Sequence, residues 1–155
     1  PSYKRYCLPI YRAACDILHD AGKFVSTHVD GNIRSHFSLL PQTGIDLLDG
    51  CTPAPMSNFT VGELSDALSS NLFAYCGIPS ALFAMNLPDD EILRWASEIE
   101  EAGKGRMILN IGDVLSPEGD MAQVIRVGDW ACENPDFSRY PSKVNQRRPP
   151  AARIQ

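Results

Sequence analysis

The sequence contains no CxxC pair. Its five cysteines, Cys7, Cys15, Cys51, Cys76 and Cys132, are odd in number and widely scattered. Neither a disulfide framework nor a zinc ribbon is expected, and most of the thiols are expected as small buried apolar side chains. No apolar run approaches the ~20 residues that cross a bilayer, and Pro1-Ser2-Tyr3-Lys4-Arg5 leads into no signal-peptide core. Basic charge is also short: 14 Lys and Arg stand against 19 Asp and Glu, a formal charge of −5. That balance leaves no footprint for nucleic acid or an anionic membrane. The expectation is a soluble, cytoplasmic chain that does not bind nucleic acid.

What is present is alternation. Tyr6, Ile10, Ala13, Ala14, Ile17 and Leu18 recur at three- and four-residue intervals and predict one apolar stripe on a helix over Tyr3 to Ala21, ended by Gly22. Lys23–His28 is short, β-branched and aromatic, and reads as a strand stopping at Asp30-Gly31. A helix over about Asn32 to Gln42 should follow, then a strand at Ile45–Leu48. Thr60-Val61-Gly62-Glu63 has the form of a capping box opening the next helix. Leu72–Cys76 is the third expected strand. Pro88, with Asp89, Asp90 and Glu91 behind it, starts a helix ending near Gly103. Met107–Ile111 is the fourth strand, and Ser116-Pro117-Glu118 should open a last helix reaching about Cys132.

Four β-α units with short apolar strands predict an α/β fold with parallel strands covered by helices. Unit count alone does not separate a small doubly wound sheet from part of a barrel. No GxGxxG, and no GxxxxGK followed by Ser or Thr, comes after any strand, which weakens a nucleotide-binding reading. With 155 residues the chain is short of the roughly 250 of a complete eight-stranded barrel. Residues 1–133 are expected to form the folded unit, and 134–155, which include Arg147-Arg148-Pro149-Pro150, a disordered tail.

Leu18-His19-Asp20-Ala21-Gly22-Lys23 followed by His28-Val29-Asp30-Gly31 resembles the fifth-strand region of the uroporphyrinogen decarboxylase and cobalamin-dependent methyltransferase superfamily. Gly44-Ile45-Asp46 is similar to its sixth strand and Cys76-Gly77-Ile78-Pro79 to its seventh-strand turn. Ile108-Leu109-Asn110-Ile111-Gly112-Asp113 is similar to its eighth strand and loop. The matches run in order from about Ser2 to Ala131. The resemblance implies strands five to eight of a TIM (β/α)₈ barrel, without the first four strands and the part of the active site they carry.

Working residues in such a barrel follow the C-terminal ends of the strands. These ends offer His28 and Asp30, then Asp49, Cys51 and Thr52, then Cys76, and finally Asn110 and Asp113. The resemblance places His28 at a zinc-ligand position of the methyltransferase branch. Asp30 and Asp113 stand where that branch has cysteines, so His28, Asp30 and Asp113 form the candidate metal set, zinc or a harder divalent ion. Against this, His28 could simply hydrogen-bond a neighbouring loop. Asp30 could cap its turn rather than act catalytically, and Asp113 could serve the N-terminus of the following helix. Asp30 and Asp113 are the candidate catalytic residues, with Asn110 and Cys76 candidate substrate contacts. For Cys51 and Cys76, burial is the expectation. His19 and His36 are expected on helix surfaces, and Trp95 and Trp130 as packing residues.

Because of His28, the favoured expectation is a corrinoid-dependent methyltransferase or a fragment of one, using a small methyl donor and a corrinoid, which a partner protein could carry. A decarboxylase-like lyase acting on a tetrapyrrole, without cofactor, is the alternative. A third reading is an inactive half-barrel serving as an interaction module. The start at Pro1, without methionine, is read as a processed or truncated product. An open half-barrel should pair as a homodimer or be covered by a missing N-terminal half.

Overall fold

The computed structural model describes residues 2–69 and 71–134, and beyond Asn134 the expected tail lies outside these residues. A π-helical turn, Tyr3–Cys7, runs into α1 (Leu8–Asp20). Then come β1 (Ser26–His28), β2 (Leu47–Cys51), α2 (Val61–Ala67), β3 (Phe73–Pro79), α3 (Asp89–Gly103), β4 (Met107–Gly112) and α4 (Met121–Glu133). The four strands form one sheet in the order β1-β2-β3-β4, every pair parallel. The fold is therefore α/β with a parallel sheet.

The strands end where local chemistry ends them. Gly22, at φ 70°, closes α1 in a Schellman arrangement: the Lys23 amide donates to the Leu18 carbonyl at 2.9 Å and the Gly22 amide to His19 at 2.8 Å. Lys23 thus belongs to the helix end, and β1 begins later than the sequence pattern predicts. The helix expected over Asn32 to Gln42 is replaced by two 3₁₀ turns, Arg34–His36 and Leu40–Gln42. Pro41 supplies no amide for the Phe37 carbonyl and sits instead in the first turn of the second 3₁₀ piece, so a continuous α-helix through Gln42 does not form. Thr60 and Glu63 make the full capping box of α2, each side chain bonded to the other's backbone amide. Helix α4 starts later than expected, because Ser116 to Gly119 is a turn and Asp120, accepting from the Ala122 amide at 2.8 Å, is the cap.

Register assigns the two faces of the sheet. Leu48, Ala74 and Met107 pair across β2, β3 and β4, and with Cys51, Cys76 and Ile78 they are buried against Val61 and Leu64 of α2 and Ile92, Ala96 and Ile99 of α3. Helices α2 and α3 pack on each other as well, so both cover this same face. The alternate residues, Ser26, His28, Leu47, Asp49, Phe73, Tyr75, Ile108 and Asn110, point to the other face and are all half-buried or exposed. Trp95 and Trp130 pack at the edge of the core.

Helix α1 reverses the predicted stripe. Its inward row is Leu8, Tyr11, Cys15 and His19, held by Arg12 Nε donating to the Gln42 carbonyl at 2.6 Å and by His19 Nε2 with Asp46 Oδ2 at 2.7 Å. Tyr6, Ile10, Ile17 and Leu18 are left 40% to 71% exposed. The helix is apolar on more than one side, and polar anchors select the side that faces the sheet.

Candidate functional site

In a parallel sheet all strands end on one rim, so His28, Asp49, Asn110 and Asp113 come to the same edge. On the open face of that rim His28 and Asp49 are register partners, with Nδ1 and Oδ2 3.3 Å apart and side chains 61% and 47% exposed. Gly50, at φ 80°, follows in an irregularity that shifts the β2–β3 register between Leu48 and Cys51. The His28 ring lies over this glycine: a Cβ at Gly50 would sit 2.6 Å from His28 Cε1. The backbone conformation favours glycine here, and a side chain at this position would displace the exposed His28 ring.

The far half of the rim is built on two more glycines. A Cβ at Gly77 would lie 2.1 Å from Gly112 N and Cα, and a Cβ at Gly112 would lie 2.6 Å from Thr52 Cγ2 and Oγ1. Strands β3 and β4 therefore close tightly at their ends, with the buried Thr52 side chain laid over Gly112. Beside them, Asn110 Oδ1 is shielded from solvent and has no hydrogen-bond partner among the described residues. A sheltered, unpaired acceptor of this kind is what a ligand's N–H or O–H donor would satisfy.

The predicted site residues divide between the two faces and the loops. His28 and Asn110 lie on the open face at the rim. Asp30 bends back to accept from the Gly31 amide at 2.6 Å, which is a turn-holding role. Asp113 is exposed at φ 64°, directly after β4, and the cap of α4 is Asp120 rather than Asp113. Cys76 is fully buried on the helix-covered face, pairing with Cys51 in register, and does not reach the open face. Burial pushes the Cys76 and Cys51 thiols up to about 12, with Asp49 adding to the effect on Cys51. Neither is a thiolate at neutral pH, so neither offers a ready nucleophile or zinc ligand.

No three His, Cys, Asp or Glu side chains among the described residues stand together as a metal-holding group, and His28, Asp30 and Asp113 do not form one. The partner that the fold does give His28 is Asp49. Asp49 is recognisable in the sequence as a strand-end residue, but nothing in the sequence pairs it with His28. The signal for the glycine beneath the ring was the dipeptide Asp49-Gly50, a repeat of Asp30-Gly31 at the end of the preceding strand. His19, expected on the surface, is instead half-buried and tied to Asp46, which also accepts the Val25 amide at 2.8 Å. His36 meets the Tyr3 ring edge-on at 4.7 Å.

No model of a known family matches the chain, and no curated protein matches it.

Proposed function

We propose that this chain is strands five to eight of a (β/α)₈ barrel of the uroporphyrinogen decarboxylase and cobalamin-dependent methyltransferase superfamily, and that its rim serves corrinoid-dependent methyl transfer. The observation that carries the reading is the winding of the sheet. A doubly wound sheet reverses its strand order and places helices on both faces. Here the order runs β1-β2-β3-β4 without reversal, α2 and α3 share one face, and among the described residues no helix covers the opposite face, where only the end near Gly77 and Gly112 is buried beneath Thr52. A closed barrel turns such a face inward, and a second half, either another copy or an N-terminal half of the same architecture, would complete it.

His28 at the first strand end favours the methyl-transfer branch. When bound, the corrinoid would supply the methyl-carrying metal, while His28, Asp49 and Asn110 would face it and orient the methyl acceptor. A zinc ion held by His28, Asp30 and Asp113 is not part of this reading, because those donors do not converge. One observation favours the lyase alternative. The unpaired Asn110 Oδ1, with Asp113 nearby in sequence, suits the pyrrole N–H donors of a tetrapyrrole.

Gel filtration of the protein with hydroxocobalamin or with uroporphyrin, followed by absorption spectra of the protein peak, tests the choice. The corrinoid should co-elute, and His28→Ala should weaken it about tenfold, the loss expected for one good polar contact. Retention of the porphyrin alone would move the assignment to the lyase. Retention of neither would leave the interaction module.

A further inference from the structure

We propose that Asp49 is a positioning residue for His28, fixing its imidazole with hydrogen on Nδ1 and a bare Nε2 turned to the open face, and that Gly50 makes this pose sterically available. The catalytic meaning of the pose rests on the methyl-transfer reading; the pose itself does not. The chain holds two histidine–aspartate pairs that use opposite ring nitrogens. His19 meets Asp46 through Nε2 at 2.7 Å, and His28 meets Asp49 through Nδ1 at 3.3 Å. A carboxylate accepts only, so each pair sets which nitrogen carries the hydrogen in the neutral ring.

The His19 pair is half-buried and ties α1 to the start of β2, which accounts for it as structure. The His28 pair joins no two elements that the β1–β2 ladder does not already join, and both side chains stand open at the rim. Its remaining consequence is chemical. Nε2 of His28 can take the proton from the thiol or amine that accepts the methyl group. With a methyl-carrying corrinoid bound, the X–H bond pair would stay on X, an electron pair of X would form the bond to the methyl carbon, and the former carbon–metal pair would remain with the metal. Asp49 then stabilises the imidazolium.

The chain has three histidines, so long-range proton–nitrogen correlation spectra of ¹⁵N-labelled protein, recorded where the rings are neutral and assigned with His28→Gln, read the tautomers directly. His28 should be the Nδ1–H form and His19 the Nε2–H form. Asp49→Ala should invert the His28 ratio toward the mixture of a free side chain and leave His19 unchanged. Gly50→Ala, whose Cβ would lie 2.6 Å from the ring, should do the same with Asp49 still in place. An Nε2–H form of His28 in the wild type, or no change in Asp49→Ala, overturns the proposal. A ring that stays on Asp49 in Gly50→Ala overturns the part given to the glycine. No corrinoid is needed for these spectra. The predicted tautomers without corrinoid binding would sink the methyl-transfer reading and leave the pose standing, and corrinoid binding with unaltered tautomers would do the reverse.

Discussion

Cys51 and Cys76 face each other as register partners on β2 and β3, both fully buried beneath the helices. Their thiols rise from 9.0 to about 12 because burial disfavours the thiolate. In native protein at neutral pH both should resist a thiol reagent while the exposed Cys132 reacts at once. Counting thiols released before and after addition of denaturant checks this.

The same shift predicts a pH dependence of stability. The folded value lies above the unfolded one, so between them the folded chain keeps protons that the unfolded chain gives up. This contribution is whole below pH 9 and is lost as pH rises toward 12. The loss is about 1.4 kcal/mol per pH unit for each thiol. Urea unfolding across that window should show the fall, and Cys51→Ala and Cys76→Ala should each flatten it.

Thr52 and Gly112 should be energetically coupled. Gly112→Ala drives a methyl group into Thr52 and should cost about 2 kcal/mol, the usual scale of overpacking. Adding Thr52→Ala should return part of that loss, which a double-mutant cycle measures. Gly77→Ala meets the backbone of Gly112 instead, so Thr52→Ala should not relieve it.

Thr60→Ala removes the accepting oxygen of the α2 capping box and should cost about 1 kcal/mol. In a thermal melt this amounts to a fall of about 3 °C in Tm. Glu63→Gln keeps the reciprocal bond to the Thr60 amide but gives up the charge that pairs with Arg34, and should cost less.

Association tests the half-barrel reading. Ile10 and Ile17, 71% and 70% exposed on α1, form an apolar stripe that a second half would cover. Light scattering should find a species larger than the monomer, and Ile10→Lys with Ile17→Lys should reduce it without abolishing cooperative unfolding. A stable wild-type monomer would make the open sheet the final form.

Element order and type were legible in the residues. Short β-branched runs, the Thr60 and Glu63 box and the acidic start of α3 act within a few positions of themselves, so local chemistry determined them. The helix expected at Asn32 to Gln42 failed for an equally local reason, the missing amide of Pro41. Tertiary structure decided which side of each element faces inward and which strand ends meet. The apolar stripe of α1 could not reveal that Arg12 and His19 would anchor the opposite side. Likewise His28, Asp30 and Asp113 share a rim but form no metal-holding group, because the β1–β2 register puts His28 beside Asp49 while Asp30 turns back on the Gly31 amide. Periodicity records which residues avoid water; only the closing of one strand against the next selects the polar groups that meet.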